Sequence, residues 1–205
     1  MVSPTVSVSG LVLAGGQSSR MQSLIANKAW LDYQGQPLVV HMLARLQPLV
    51  ARVRISANQD LSHFARYATV IPDAPRVRGH LGPLAGVYSA LLSCQTDYLL
   101  CVPIDVPRLR SETLTALMMC AASEPTIKYW YVHADRPHPL IALIHRDLVA
   151  GLGQFLDQGH RRVRHFIESV PHRVVSFDDA ESEFQNINTP DDYRLLNQYA
   201  HKLKS

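Results

Sequence analysis

Leu11-Val12-Leu13-Ala14-Gly15-Gly16-Gln17-Ser18-Ser19-Arg20-Met21 decides how this chain is read. An apolar run from Val6 to Leu13 leads straight into Ala14-Gly15-Gly16, so a buried strand ends in a turn whose residues carry little or no side chain. Backbone N–H groups in such a turn can converge on phosphate oxygens, because nothing blocks the approach. Small hydroxyl residues, Ser18 and Ser19, and the cation Arg20 follow. The stretch has neither the G-x-x-x-x-G-K-[ST] of a P-loop nor the G-x-G-x-x-G of a dinucleotide fold. It reads as a triphosphate cradle of a third kind; taken alone, it reads as well as a glycine turn that only joins a strand to a helix.

Outward from this loop the pattern alternates. Pro37 to Leu46 places Leu38, Met42 and Leu46 at helical spacing, and Leu84 to Leu92 does the same. Val53 to Ala57, Thr69 to Ile71 and Tyr98 to Val102 are short runs rich in β-branched or aromatic residues, hence strands. Strands alternating with helices predict parallel strands joined by right-handed crossovers, a doubly wound α/β sheet. Farther on, Ser111 to Cys120 reads as a helix. Tyr129 to Val132 and Leu140 to Ile144 read as a hairpin about the polar turn Ala134-Asp135-Arg136-Pro137. Thr189-Pro190-Asp191-Asp192 is a helix start, with an N-cap hydroxyl, a proline at the first helical position and carboxylates at the positive end of the dipole.

The 205 residues suffice for one sizeable core, and a single domain over 1–205 is expected. With 47% hydrophobic and 18% charged residues the composition is that of a globular protein. A formal charge of +3 without a basic, aromatic-laced stripe argues against nucleic-acid binding. Cys94, Cys101 and Cys120 have no C-x-x-C spacing, so neither a disulfide framework nor a zinc knuckle is suggested. No run approaches the roughly 20 apolar residues of a spanning helix, and Met1 to Thr5 lacks a leader pattern. A cytoplasmic protein with no membrane partner is expected.

Chemistry-bearing residues lie at the ends of these elements. Arg20 and Lys28 could neutralise a triphosphate and its pyrophosphate leaving group. Asp105 follows the Tyr98–Val102 strand at the carboxyl edge of the sheet, where open α/β sheets bind ligands and a carboxylate can hold Mg²⁺ against phosphates; alone, it suits a turn or N-cap as well. Gly82-Pro83-Leu84-Ala85-Gly86 reads as a helix start with room for a ligand near the backbone. Asn186 and Asn188 alternate along an extended segment, so both amides can face one side. His160-Arg161-Arg162-Val163-Arg164-His165 is the densest basic stretch, fit for a substrate phosphate or for a solvated helix face. His138 before Pro139 can donate to the same substrate or serve as a satisfied structural histidine.

The glycine loop, Gly82 to Gly86, Asp105, His138-Pro139-Leu140 and Asn186-Ile187-Asn188-Thr189-Pro190 resemble, in that order, the molybdenum cofactor guanylyltransferases, over nearly the whole chain. The resemblance implies a Rossmann-like three-layer nucleotidyltransferase fold with a mostly parallel sheet and an added hairpin. It implies transfer of GMP from GTP to molybdopterin with release of pyrophosphate. On it, Leu13, Ala14, Gly15, Gly16 and Gly82 would contact nucleotide, with Asp73 at the guanosine and either Asn58 or Ser56 beside it. Arg20, Lys28 and Asp105 would be catalytic, Asp105 as the Mg²⁺ ligand, and His138, Arg162, Asn186 and Asn188 would bind molybdopterin. Molybdenum-insertion proteins and molybdoenzyme chaperones would be partners.

Four departures stand out. Gln22 stands where the family usually has glycine, Asn27 where it has aspartate, and the linker from Gln22 to Asn27 is about two residues longer. Ile104 replaces a cysteine. Two alternatives follow. The sister cytidylyltransferases usually carry alanine where Gly15 stands, and a non-catalytic nucleotide-binding homologue is the reading in which the altered linker has cost activity.

Overall fold

β1 (Val8–Leu13) is buried along its whole length in the interior of a seven-stranded sheet in the computed structural model, which describes residues 6–15, 27–77, 79, 82–178 and 180–202. A 3₁₀ turn, Lys28–Trp30, leads into the two-residue strands β2 (Asp32–Tyr33) and β3 (Gln36–Pro37) and then α1 (Leu38–Leu46). Pro37, read from sequence as inside the first helical turn, stands one residue earlier as the N-cap. Next come β4 (Val53–Ser56), the single turn α2 (Leu61–Phe64), β5 (Thr69–Ile71) and α3 (Pro83–Leu92). β6 (Tyr98–Pro103) and α4 (Ser111–Ser123) complete the first half.

The second half holds β7 (Tyr129–His133), β8 (Pro137–His145), α5 (Val149–Asp157), α6 (Val163–Glu168), β9 (His172–Ser176) and α7 (Pro190–Lys202). The sheet order is β5-β4-β1-β6-β8-β7-β9. β8 runs antiparallel to both its neighbours, while β1 pairs in parallel with β4 and β6, β4 with β5, and β7 with β9. The expected hairpin is β7–β8, with a register shift at Tyr131/Val132. The mostly parallel sheet with an added hairpin is the architecture expected from sequence.

Alternation along the strands sorts the core into two layers. Val8, Val12, Leu100 and Val102 pack on α1 and α4 through Leu38, Met42, Leu46, Leu114 and Leu117. Leu11, Leu13, Leu99 and Cys101 face the opposite way, onto Leu84, Val87 and Leu91 of α3, Leu152 and Leu156 of α5 and Phe166 of α6. Truncating one such leucine to alanine costs about 2–5 kcal/mol. Helices therefore cover both faces, and ligand access falls to the sheet edge.

Besides the short elements β2, β3 and α2, two longer ones were not apparent from sequence. α5 carries Gly151 and Gly153 among its apolar residues, which weakens a helical reading. β9 is a largely exposed edge strand without apolar alternation. Among the described residues no helix is long and apolar enough to cross a membrane.

Candidate active site

β1 and β6 lie side by side, Leu13 paired with Pro103, so the turns that follow them open at the same carboxyl edge of the sheet. The backbone N–H of Ile104 donates to Leu13 O at 3.1 Å and that of Ala14 to Ser56 O at 2.9 Å, which locks three strand ends together. They form one wall of a cavity of about 560 Å³. Leu13, Ala14 and Gly15 line it with Asn27 and Lys28, with Pro83 at the start of α3, and with Pro103 to Val106. Arg136 to Ile141 of the β7–β8 hairpin, Asn186 and Asn188 form the opposing side.

Asp105 is the carboxylate of this lining, and both its oxygens are engaged. Oδ1 accepts from Asn186 Nδ2 at 2.9 Å, and Oδ2 faces Lys28 Nζ at 3.4 Å. Lys28 Nζ also donates to Asn188 Oδ1 at 2.7 Å. The ion pair is shielded, the two side chains being only 13% and 17% exposed, so its field is weakly screened. The asparagines reach it by alternation: Ile187 is buried on the other side, and its N–H donates to Asp105 O at 2.9 Å. The segment is held from both ends. Downstream, Asp192 Oδ2 accepts from the N–H groups of Asn188 and Thr189 while Thr189 Oγ1 accepts from Asp192 N, a reciprocal cap at the expected start of α7. Upstream, buried Glu183 accepts from Arg110 N, Arg110 Nε and Thr113 Oγ1 at 2.9, 2.6 and 2.5 Å, tying the segment to the N-terminus of α4.

His138 is buried in the hairpin wall, its ring near Phe184 and its Nε2 3.4 Å from Asp135 Oδ1. Burial pushes its imidazole below the ordinary 6.5, more than the Asp135 carboxylate raises it. Arg136 also lines the cavity, and its guanidinium lies 3.5 Å from Asn186 Oδ1. In sequence Arg136 reads only as part of a polar turn; a cation at a hairpin tip carries no signal of where the tip points.

Asn58 and Asp73, expected at the guanosine, pair with each other: Asn58 Nδ2 donates to Asp73 Oδ2 and Asp73 N donates to Asn58 Oδ1, each at 2.9 Å. They lie outside the cavity lining but adjoin its glycine-loop end, since a Cβ on Gly15 would come within 4.0 Å of Asn58 Nδ2. Ser56 is committed elsewhere: it is buried, and its hydroxyl fills the space where a side chain on Gly86 would stand. Of the two, Asn58 is the one whose side chain, paired with Asp73, stands exposed beside the glycine loop. Gly82 has φ +152° and ψ 160°, backbone essentially reserved for glycine, and puts Pro83 on the cavity wall.

Arg162 does not join this group. It is exposed at the N-cap of α6 and does not line the cavity, and Arg164 of the same run pairs with Glu168 at 2.8 Å. The run behaves as a solvated helix start. Gly16 and Arg20, with positions 22–26 of the altered linker, lie outside the described residues.

No group of three or more His, Cys, Asp or Glu suited to a metal occurs among the described residues. A lone carboxylate still fits Mg²⁺, which commonly takes one or two carboxylates and completes its shell with substrate phosphates and water.

The sequence model of the MobA-like NTP transferase domain matches residues 10–174. The chain belongs to this family. It is 30% identical over 191 residues to a molybdenum cofactor guanylyltransferase of Yersinia pseudotuberculosis, covering 93% of this chain and 95% of the relative. It is 29% identical to the enzyme of that name from Shewanella halifaxensis, covering 94% of each. Among solved structures, molybdopterin-guanine dinucleotide biosynthesis protein A from Archaeoglobus fulgidus superimposes with a TM-score of 0.77 at 24% identity, over 95% of this chain and 99% of that one. That last likeness is one of fold. The Rossmann-like nucleotidyltransferase architecture expected from sequence is the family's.

Proposed function

We propose that the chain transfers GMP from GTP to molybdopterin, forming molybdopterin guanine dinucleotide and pyrophosphate. The observation that carries this is the Lys28–Asp105 pair held by Asn186 and Asn188 inside a cavity that has the glycine loop on one side and the hairpin on the other. A cation and a carboxylate between two half-sites suit a reaction that joins two phosphorylated substrates. The first half-site comprises Leu13, Ala14 and Gly15, with Gly16 as the resemblance implies, together with Gly82 and the Asn58–Asp73 pair, and takes GTP. The second, with His138, Asn186 and Asn188, takes molybdopterin. One domain over 1–205 carries both.

The terminal phosphate of molybdopterin is largely ionised near neutral pH, its second pKa being about 6, so no general base is needed. One of its oxygens bonds to the α-phosphorus of GTP as the bond from that phosphorus to the bridging oxygen breaks, and the electron pair leaves with pyrophosphate. Lys28, with Arg20 as the resemblance implies, neutralises the charge that builds on the leaving group. The half-sites hold the two phosphates in line. Asp105 would hold Mg²⁺, which when bound supplies further charge neutralisation at the phosphates. His138, kept neutral by burial, adds no positive charge to the pterin side. A cytoplasmic setting and hand-over to molybdenum-insertion proteins or molybdoenzyme chaperones belong to the same reading.

The test is product formation by purified chain with Mg²⁺, molybdopterin and either GTP or CTP, with Asp105→Ala alongside. Dinucleotide from GTP, lost in the variant, supports the reading. Preference for CTP would favour the cytidylyl alternative, and GTP binding without product the non-catalytic one.

A further inference from the structure

Lys28 opens a 3₁₀ turn of three residues, a segment too short to hold its own geometry. Its orientation has to be imposed from outside. The residues on either side of it supply the means, and neither uses Lys28 itself. Asn27 Nδ2 and Trp30 Nε1 donate to the same atom, Asp60 Oδ2, at 3.0 and 3.1 Å. The other end of the Asn27 amide, Oδ1, accepts from Ala29 N at 3.0 Å and caps the turn. Trp30 is stacked on His63, with ring centroids 3.8 Å apart and planes 13° from parallel, and Ala29 is fully buried.

Asp60 makes no capping bond to α2, which it precedes, so its carboxylate is spent on the Lys28 turn. It sits at φ 54°, ψ 27°, a left-handed conformation that aspartate and asparagine tolerate better than other residues with a side chain. The bonds from Trp30 and Asn27 hold its carboxyl below the ordinary 3.8, which keeps the acceptor ionised.

We infer that Asn27, Asp60 and Trp30 form a clamp that positions Lys28 for the substrate phosphates, an inference that rests on the nucleotidyltransferase reading of the cavity. The chemistry of the clamp leaves little choice of residue. An indole N–H only donates, and with the Asn27 carbonyl committed to Ala29 its amide must donate too. Position 60 must therefore present an acceptor, and position 27 must be able to accept and donate at once. A carboxylate at 27 could still cap Ala29 but would face the Asp60 carboxylate with no proton between them. The asparagine that departs from the family pattern is the residue its partner requires.

The exchange Asn27→Asp with Asp60→Asn keeps net charge and rebalances donors against acceptors: with its plane turned so that nitrogen and oxygen each meet one partner, the new amide at 60 donates to the carboxylate at 27 and accepts from Trp30. Five variants of the full chain test the clamp: Asn27→Asp, Asp60→Asn, the exchange, Lys28→Ala, and Asn27→Asp combined with Lys28→Ala. Each is read by Mg·GTP affinity in calorimetry, by the initial rate of transfer to molybdopterin and by melting temperature. Asn27→Asp is expected to lower affinity and rate about tenfold, the exchange to return both to within about threefold, and Asn27→Asp to cost less than about twofold once Lys28 is alanine. The last comparison separates positioning from general loosening, which would act with or without Lys28. An unchanged Asn27→Asp, an exchange as impaired as Asn27→Asp alone, or an equal loss without Lys28 would overturn the clamp. A wild-type chain that binds Mg·GTP yet makes no product, or prefers CTP, overturns the functional reading alone, and the same comparisons then decide the clamp on nucleotide affinity. A wild-type chain that binds neither nucleotide overturns both.

Discussion

Asn186 Nδ2 donates to Asp105 Oδ1 at 2.9 Å, joining residues 81 positions apart. The bond brings the last loop of the chain onto the carboxyl edge of β6 and leaves the second Asp105 oxygen facing Lys28. It connects the half of the cavity built by the nucleotide loop to the half built after the hairpin. Asn186→Ala is expected to lower kcat about tenfold, as for removal of one hydrogen bond to a charged group, while the melting temperature moves little. Steady-state kinetics with both substrates varied, beside a thermal melt, check this; unchanged kcat would remove Asn186 from the site.

Asn188 holds the other end of the contact, accepting from Lys28 Nζ at 2.7 Å. Among the described residues, Asn188→Ala leaves the lysine side chain with only the longer Asp105 contact at 3.4 Å. The expected result is a fall in kcat/KM of about tenfold, and no further fall when Asn188→Ala is added to Lys28→Ala. Additive losses would mean that Asn188 acts on substrate independently of the lysine.

Glu183 is 5% exposed and accepts three hydrogen bonds from Arg110 and Thr113. Glu183→Ala removes the acceptor for the N-terminus of α4 and leaves the buried Thr113 hydroxyl unpaired. A loss of about 2–4 kcal/mol in urea unfolding is expected, with an undiminished m-value. A loss under about 0.5 kcal/mol would show the contact to be incidental.

His138 makes stability depend on pH. Its imidazole titrates below the ordinary 6.5 because of burial, so the unfolded chain takes up the proton first. The stabilisation is complete above the unfolded value and is lost as pH falls from about 6.5 through the lower folded value. His145, also lowered chiefly by burial, adds to the same window. Unfolding midpoints at pH 7.5, 6.5 and 5.5 should decline, and His138→Gln should flatten the decline between the last two. Equal slopes in variant and wild type would contradict it.

Much of this protein was written in local pattern. The Val6–Leu13 run, the glycines after it and the β-branched runs at Val53, Thr69 and Tyr98 carry the periodicity of strands, and burial on both faces makes such runs continuous. Asp105 was legible because a carboxylate just past a buried strand lies at the edge where open α/β sheets bind ligands. Thr189-Pro190-Asp191-Asp192 was legible because a cap is made by residues three apart. The longer missed elements, α5 and β9, fail for the converse reason: glycines inside the helix and polar residues on an edge strand obscure the period, while β2, β3 and α2 are too short to show one.

What the sequence by itself determined is most of the longer elements, their alternation and the motifs at their ends, all properties of neighbours within a few positions. Tertiary structure alone decided which side chains meet. It turned Asn58 toward Asp73 and Ser56 into the packing of Gly86, left Arg162 in solvent, and brought Arg136 to the cavity. It also matched Asn27 to Asp60 across 33 positions and Asp105 to Asn186 across 81. Such pairings depend on strand order and loop path, which bring distant residues within hydrogen-bond reach, and hydrogen bonds act over about 3 Å of space regardless of separation along the chain.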